Sequence, residues 1–100
     1  MQPERRLVKR GREYLEGRGA WVFNVHGGDS PFQEVGIPDL LCCWGGKFIA
    51  LEYKQPGEDP SPRQQLVMRR IREAGGVAEV VESVDQIEKI FLRISRKKVV

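Results

Sequence analysis

This 100-residue chain contains no long apolar run, one histidine and only two cysteines. A membrane-spanning helix needs about 20 consecutive apolar residues, so we expect no membrane association. The basic N-terminal segment lacks the apolar core of a secretory signal, and we therefore expect a cytoplasmic protein. The cysteines are neighbours, Cys42 and Cys43, without the spacing of a zinc site. Because neighbouring residues of a strand point to opposite faces, we interpret both as reduced apolar residues.

The remaining composition is that of an ordinary globular protein, with 40% apolar and 31% charged residues. A chain of this length buries one modest core, so residues 1–100 are predicted to form a single domain. The net charge of +3 permits a nucleic-acid partner without requiring one. Basic residues gather near the two ends, at Arg5, Arg6, Lys9, Arg10 and Arg12 and at Arg93, Arg96, Lys97 and Lys98. Each cluster is either a solvated face or a surface for the DNA backbone.

Apolar periodicity and turn residues predict seven elements. In chain order they are a helix over 4–17, a strand over 20–25, strands near 39–44 and 47–54, a helix from Ser61 to about Ala74, a strand over 77–81 and a helix from Ser83 to about Ile94. Residues 95–100 are predicted to be a frayed tail. The order αβββαβα predicts an α/β fold in which helices flank a mixed β-sheet.

Two acids and a lysine occupy the ends of the most apolar hairpin, GIPDLLCCWGGKFIALEYK at 36–54. If Gly45–Gly46 forms a two-residue turn, the resulting register places Glu52 opposite Asp39. Cross-strand partners have Cβ atoms about 4.5–5.5 Å apart, so the two carboxylates become neighbours. Lys54 lies two residues beyond Glu52 and therefore points to the same face.

Like charges placed opposite each other destabilise a sheet, and a divalent cation between them would remove the cost. Magnesium takes one or two carboxylates together with water and substrate phosphate. Lys54 would then hold or deprotonate an attacking water, or stabilise charge on a phosphate. The alternative is an ion-pair network in which Lys54 neutralises Glu52. Glu4 adds a third acid, because helical geometry places it at the start of the inward face of the first helix; a first-turn acid that stabilises the helix dipole is the other explanation.

These residues resemble the PD-(D/E)xK nuclease signature, with GIPD at 36–39 and EYK at 52–54. A longer ordered set closely resembles the VRR-NUC domain, the virus-type replication-repair nuclease. It comprises Glu4, GAWVFNV at 19–25, GIPDLL at 36–41, LEYKQPG at 51–57, SPRQ at 61–64 and GG at 75–76, and spans roughly residues 4–91.

The resemblance implies a restriction-endonuclease-like core and phosphodiester hydrolysis that depends on Mg²⁺ or Mn²⁺. It further implies a homodimeric, structure-specific nuclease for branched DNA such as four-way junctions, of viral or prophage origin. Asp39 and Glu52 match the metal ligands, with the main-chain carbonyl of Tyr53 as a further one, and Lys54 matches the catalytic lysine. Glu4 matches the acid of the first helix, which acts in catalysis or in metal binding.

Gln64 matches the glutamine that follows the ExK strand in the family. It also completes a capping box with Ser61, and the same box recurs at Ser83 and Gln86 without any proposed chemistry. Gln64 is therefore either a catalytic residue or a helix cap. His26 and Ser30 are candidate phosphate contacts in a Gly-rich loop, although a solvated loop explains both.

Arg5, Arg6 and Lys9 are candidate contacts to the DNA backbone, which supply affinity rather than sequence reading. The sequence therefore predicts a metal-dependent endonuclease that recognises DNA shape. The alternative is a non-catalytic nucleic-acid-binding or assembly module that uses a nuclease-like fold.

Overall fold

Turn and cap signals divide the chain into elements that follow the predicted order. The computed structural model describes residues 5–25 and 35–98. Within these ranges the elements are α1 (Arg5–Gly17), β1 (Trp21–Asn24), β2 (Leu40–Trp44), β3 (Lys47–Tyr53), α2 (Pro62–Glu73), β4 (Val77–Val81) and α3 (Val84–Lys98). None of the helices in these ranges is long and apolar enough to cross a membrane.

The two glycines of the central hairpin form the predicted two-residue turn. Gly45 and Gly46 have φ angles of 57° and 78°. Positive φ at both central positions defines the turn that best matches the twist of antiparallel strands, and glycine adopts it without strain. Cys43 lies opposite Phe48 as a consequence. The register predicted from the sequence is confirmed.

The four strands form one sheet in the order β1-β2-β3-β4. β1 and β3 both pair antiparallel with β2, whereas β4 pairs parallel with β3. A parallel pair requires a crossover connection, and α2 provides it. The predicted mixed sheet is confirmed.

Helices cover both faces of the sheet. Ile49 and Leu51 of β3 belong to the main core, together with Leu15 of α1 and Phe91 of α3. Ala50 lies between them in the strand and faces the other way, where it packs with Met68 of α2 in a smaller cluster. The sheet therefore has an α1/α3 face, which carries most of the core, and an α2 face.

The last helix is longer than predicted. α3 continues to Lys98, past the predicted end near Ile94, and residues 99–100 lie outside the described residues. No glycine or proline interrupts this segment, and Ile94 is buried in the main core. Packing of Ile94 in the core stabilises the last part of the helix, where the apolar pattern of the sequence is weak.

The neighbouring cysteines and the two tryptophans are separated as strand geometry requires. Cys42 is buried and Cys43 is exposed, and both are free thiols. Trp44 packs against Phe91 and donates a hydrogen bond from Nε1 to the carbonyl oxygen of Arg18 at 2.9 Å. Trp21, by contrast, is 63% exposed.

Candidate active site

The two acids of the hairpin lie at the end of the β2–β3 ladder. Leu40 and Leu51 form the last described pair of this ladder, so Asp39 and Glu52 are the next residues on the two chains. Alternation places both on the α2 face. They are buried, with 8% and 2% of their surface exposed.

Glu52 is held by donors from two directions. Lys54 Nζ lies 3.3 Å from Oε2 of Glu52, and Gln64 Nε2 donates a hydrogen bond to the same oxygen at 2.8 Å. A buried carboxylate needs such donors, because burial removes the hydration of its charge. The lysine shares the face of Glu52, as the strand period predicts.

Asp39 is fixed through both its side chain and its main chain. Its Oδ2 accepts a hydrogen bond from the main-chain N–H of Tyr53 at 2.8 Å. Its carbonyl oxygen accepts another from the N–H of Val25, also at 2.8 Å. Asp39 thus joins the end of β1 to the end of β3, and the orientation of its carboxylate follows from the backbone. The sequence gives no signal for the Tyr53 contact, because it uses a main-chain group.

Gln64 forms the predicted helix cap and also contacts a buried acid, while its catalytic role stays a prediction. Its Oε1 accepts from the N–H of Ser61 at 2.8 Å, and its own N–H donates to the Ser61 hydroxyl at 3.1 Å. These contacts form a complete capping box at the start of α2. The remaining amide group, Nε2, is the donor to Glu52. The cap fixes the amide, and the amide links α2 to the buried acid.

The side chain of Tyr53 lies on the other face of the sheet, against α1. A Cβ atom at Gly11 would come 2.6 Å from the phenol oxygen of Tyr53 and 3.0 Å from Cδ1 of Ile87. Burial, and then the charge of Asp39, raises the pKa of Tyr53. The absence of a side chain at Gly11 lets α1 pack directly on the strand that carries Glu52, a requirement that sequence reasoning missed.

The segment before Asp39 is also positioned by a glycine. Gly36 has a φ of +90°, and a Cβ atom there would lie 2.7 Å from Cγ of Arg63. Arg63 Nε donates to the carbonyl oxygen of Val35 at 3.3 Å. The chain therefore approaches Asp39 directly against the first turn of α2.

The other predicted site residues divide into two groups. Glu4, His26 and Ser30 lie outside the described residues. Arg5, Arg6 and Lys9 are exposed on α1. Within residues 5–25 and 35–98, no group of three or more His, Cys, Asp or Glu side chains is arranged to hold a metal ion.

A four-stranded mixed sheet with helices on both faces, and with the hairpin acids at its end, is a restriction-endonuclease-like fold. A solved structure described as a VRR_NUC domain has the same fold, with a TM-score of 0.72 and 30% sequence identity. The similarity covers 86% of this chain and 90% of that one. The chain belongs to the VRR-NUC family and is a nuclease-type domain. No family model matches the sequence, and a search of curated proteins gave no match.

Proposed function

We propose that the chain is a divalent-metal-dependent, structure-specific DNA endonuclease that hydrolyses phosphodiester bonds in branched DNA such as four-way junctions. The observation that carries the proposal is the placement of two buried acids beside Lys54 in a nuclease-type domain. Buried carboxylates are costly to a small fold, so a chemical role is the simplest reason to keep them.

The donor set fits a magnesium or manganese ion. Asp39 and Glu52 supply hard carboxylate oxygens on one face, and magnesium accepts one or two such ligands while keeping water and phosphate oxygens. The main-chain carbonyl of Tyr53 and the carboxylate of Glu4 are proposed as further ligands from the family resemblance. When bound, the ion would polarise the scissile phosphate and lower the pKa of a coordinated water.

The side chains around the acids have separate proposed roles. Lys54 positions the attacking water or stabilises the charge that develops on the phosphate. Gln64 orients the carboxylate of Glu52 through its Nε2 donor. The N–H of Tyr53 does the same for Asp39. Both positioning contacts exist before substrate binds, which removes the cost of arranging the carboxylates during the reaction.

We also propose that the chain recognises DNA by shape and acts as a homodimer. Exposed basic residues on α1, Arg5, Arg6 and Lys9, supply contacts to phosphates, which carry no base information. A four-way junction has two equivalent strands to cut, and a two-fold dimer provides two equivalent sites.

Cleavage of a labelled four-way junction tests the proposal. Linear duplex, flap and single strand serve as competing substrates, each with Mg²⁺, Mn²⁺ or EDTA. We expect metal-dependent, paired nicks in the junction. The key variant is Asp39→Asn, which keeps an oxygen for the N–H of Tyr53 but removes the ligand charge. We expect it to fold normally and to lose roughly 100-fold or more of the activity.

A matched control is Glu73→Gln, which removes one negative charge from an exposed ion pair with Arg69. This control should cut like the wild type. Metal-dependent cleavage of a different substrate would keep the chemistry and reject the junction assignment. Junction binding without cleavage under every metal condition would favour a non-catalytic binding module.

A further inference from the structure

One arginine lies at the start of α2, beside the buried acids. Arg63 is exposed and directly precedes Gln64, whose Nε2 donates to Glu52 at 2.8 Å. Consecutive Cα atoms lie about 3.8 Å apart, so Arg63 and the residue that contacts the acid belong to the same turn of the helix. The reaction proposed above uses Gln64 and Lys54 but leaves Arg63 without a role.

The position of Arg63 is unfavourable for the helix. The N-terminal end of a helix carries a partial positive charge, so a carboxylate in the first turn stabilises it and a cation destabilises it. The first turn of α2 contains no acid, and Arg70 and Arg72 lie in the last turn, where the dipole favours cations. α3 begins with the same Ser-x-x-Gln sequence, and there Asp85 occupies the position that Arg63 has in α2. Helix stability therefore does not explain this arginine.

The side chain of Arg63 is positioned by the segment that leads to Asp39. Its Nε donates to the carbonyl oxygen of Val35 at 3.3 Å. The chain at Gly36 passes against it, since a Cβ atom there would lie 2.7 Å from Cγ of Arg63 and 3.0 Å from its carbonyl oxygen. Within residues 5–25 and 35–98, no carboxylate forms an ion pair with Arg63. The guanidinium is therefore held in place while its charge is not neutralised by an acid of this part of the chain.

The chemistry of the guanidinium indicates a phosphate as its ligand. Arginine stays charged at physiological pH and presents a planar fork of N–H donors that matches phosphate oxygens. Val35 is four residues from Asp39, so the hydrogen bond to Val35 keeps the guanidinium within roughly 14 Å of the acid. A DNA strand carries one phosphate per about 3.4 Å of helix axis, so this distance spans only a few nucleotides.

We propose that Arg63 binds a DNA phosphate close to the one that is cut, and so positions the strand over the acids. The inference rests on the function proposed above. Because the neighbouring phosphate does not react, the contact is equally strong in the substrate complex and in the transition state. It therefore contributes to affinity and not to the rate of the chemical step. The hydrogen bond to Val35 orders the side chain before DNA binds, which lowers the entropy lost on binding.

Binding in EDTA tests the contact without relying on cleavage. The key variant is Arg63→Gln. The matched control is Arg69→Gln, which removes the same charge from α2 at an arginine that pairs with Glu73. Fluorescence anisotropy of a labelled four-way junction and of a linear duplex should show about tenfold weaker affinity for Arg63→Gln, as expected for the loss of one hydrogen-bonded charge contact. Arg69→Gln should bind like the wild type.

Cleavage in Mg²⁺ separates affinity from rate. For Arg63→Gln we expect KM to rise about tenfold while kcat stays close to the wild-type value. Arg63→Asp, which copies the start of α3, is the second variant. Its melting temperature should equal or exceed that of the wild type, because an acid replaces a cation at the N-terminus of the helix. Its DNA affinity should fall further than that of Arg63→Gln. An arginine with a purely structural role would not give these opposite changes.

Three outcomes would overturn the proposal. An equal loss of affinity in Arg63→Gln and Arg69→Gln would assign the effect to net charge. A lower melting temperature with unchanged affinity for Arg63→Gln would show that Arg63 only supports the segment at Val35. A fall in kcat at constant KM would place the guanidinium on the reacting phosphate. A wild type that binds DNA through Arg63 and cuts none would uphold the contact and reject the proposed function, so the two failures are distinguishable.

Discussion

At the scale of the residue, Lys54 lies where it would compete with the proposed cation for Glu52. Its Nζ is 3.3 Å from Oε2 of Glu52, and both side chains are largely buried. Lys54→Met should destabilise the metal-free protein, by on the order of 2 kcal/mol, because a buried carboxylate loses its counter-charge. Mg²⁺ should then raise the melting temperature more in the variant than in the wild type, while cleavage is lost.

Thermal unfolding with and without Mg²⁺ measures this effect. Lys89→Met, the same substitution at an exposed position of α3, is the control. It should change neither the stability of the metal-free protein nor the rise in melting temperature with Mg²⁺. Equal Mg²⁺ shifts in the wild type and Lys54→Met would show that lysine and cation do not share Glu52. A loss of stability without any loss of cleavage would instead support the plain ion-pair network.

A second prediction at the residue scale concerns stability in alkali. Burial, and then the neighbouring Cys43, raises the pKa of Cys42 to about 12, and burial also raises the pKa of Tyr53. Above about pH 9 the unfolded chain loses these protons first, so it binds fewer protons than the folded chain. Stability should therefore fall as the pH rises from about 9 towards 12, by up to about 1.4 kcal/mol per pH unit for each group.

Tyr53→Phe isolates one of these groups. Among the described residues, the phenol oxygen of Tyr53 is buried without a hydrogen-bond partner, so its removal should be neutral or slightly stabilising at pH 7. Urea unfolding at pH 7, 9 and 10.5 should show that the free energy of unfolding falls less with rising pH in the variant than in the wild type. An unchanged loss would contradict the role given to the Tyr53 phenol.

At the scale of the element, the similar starts of α2 and α3 distinguish the capping role of a glutamine from its contact with a buried acid. α2 and α3 both begin with a Ser-x-x-Gln sequence, at Ser61–Gln64 and Ser83–Gln86, in which the N–H of the glutamine donates to the serine hydroxyl. The side chain of Gln64 accepts from the N–H of Ser61 and completes the box, whereas the side chain of Gln86 accepts from the N–H of Glu82. Only Gln64 also donates to a buried acid. Glutamate serves equally well at N3, the third helical position after the capping residue. The substitutions Gln64→Glu and Gln86→Glu thus change the same local motif with different consequences.

Gln64→Glu should lower the free energy of unfolding in EDTA by about 2 kcal/mol, because a carboxylate replaces the donor that faces Glu52. Mg²⁺ should restore part of the loss. The new carboxyl should have a raised pKa beside Glu52, so the destabilisation should be absent well below pH 4 and appear as the pH rises. Gln86→Glu should be neutral or slightly stabilising under all conditions. If both variants behave alike in thermal unfolding, the amide of Gln64 acts only as a cap.

The elements that the sequence predicts well are those controlled by local chemistry. The Gly45–Gly46 turn alone determines the hairpin register, and the register brings Asp39 and Glu52 together. The span of β4, 77–81, follows from a glycine pair before it and a capping serine after it. Contacts that depend on how α2 docks were not predictable in this way. The donor from Gln64 to Glu52 is such a contact, since it needs the position of a whole helix.

At the scale of the whole molecule, the sheet separates most of the hydrophobic core from the two buried acids. The α1/α3 face holds most of the core, and the α2 face carries the acids. For the same reason, the sequence could not decide whether Trp21 and Phe23 of β1 are covered or exposed, and the structure leaves both exposed. Trp-Val-Phe-Asn predicts a strand with apolar residues on both sides, but which side stays open depends on where three helices settle. Alternation defines two faces, and tertiary packing decides which of them is covered.

The charge distribution leads to a last prediction, about salt. Arg5 and Lys9 are exposed on α1, one turn apart, and are proposed to contact DNA phosphates. Each such contact releases condensed counterions, so the slope of log affinity against log salt should weaken by about 0.9 for each contact removed. Fluorescence anisotropy of a labelled junction in EDTA should therefore show a slope shallower by roughly 1–2 for the Arg5→Ala, Lys9→Ala double variant.

The matched control removes the same charge from arginines that already pair with acids. Arg69 lies 3.8 Å from Glu73, and Arg93 lies 2.7 Å from Glu79. The double variant Arg69→Ala, Arg93→Ala lowers the net charge by the same amount, so any effect of total charge is identical in the two proteins. If the α1 pair contacts DNA, only its slope changes. If both slopes fall equally, affinity follows net charge alone, and α1 is a solvated face.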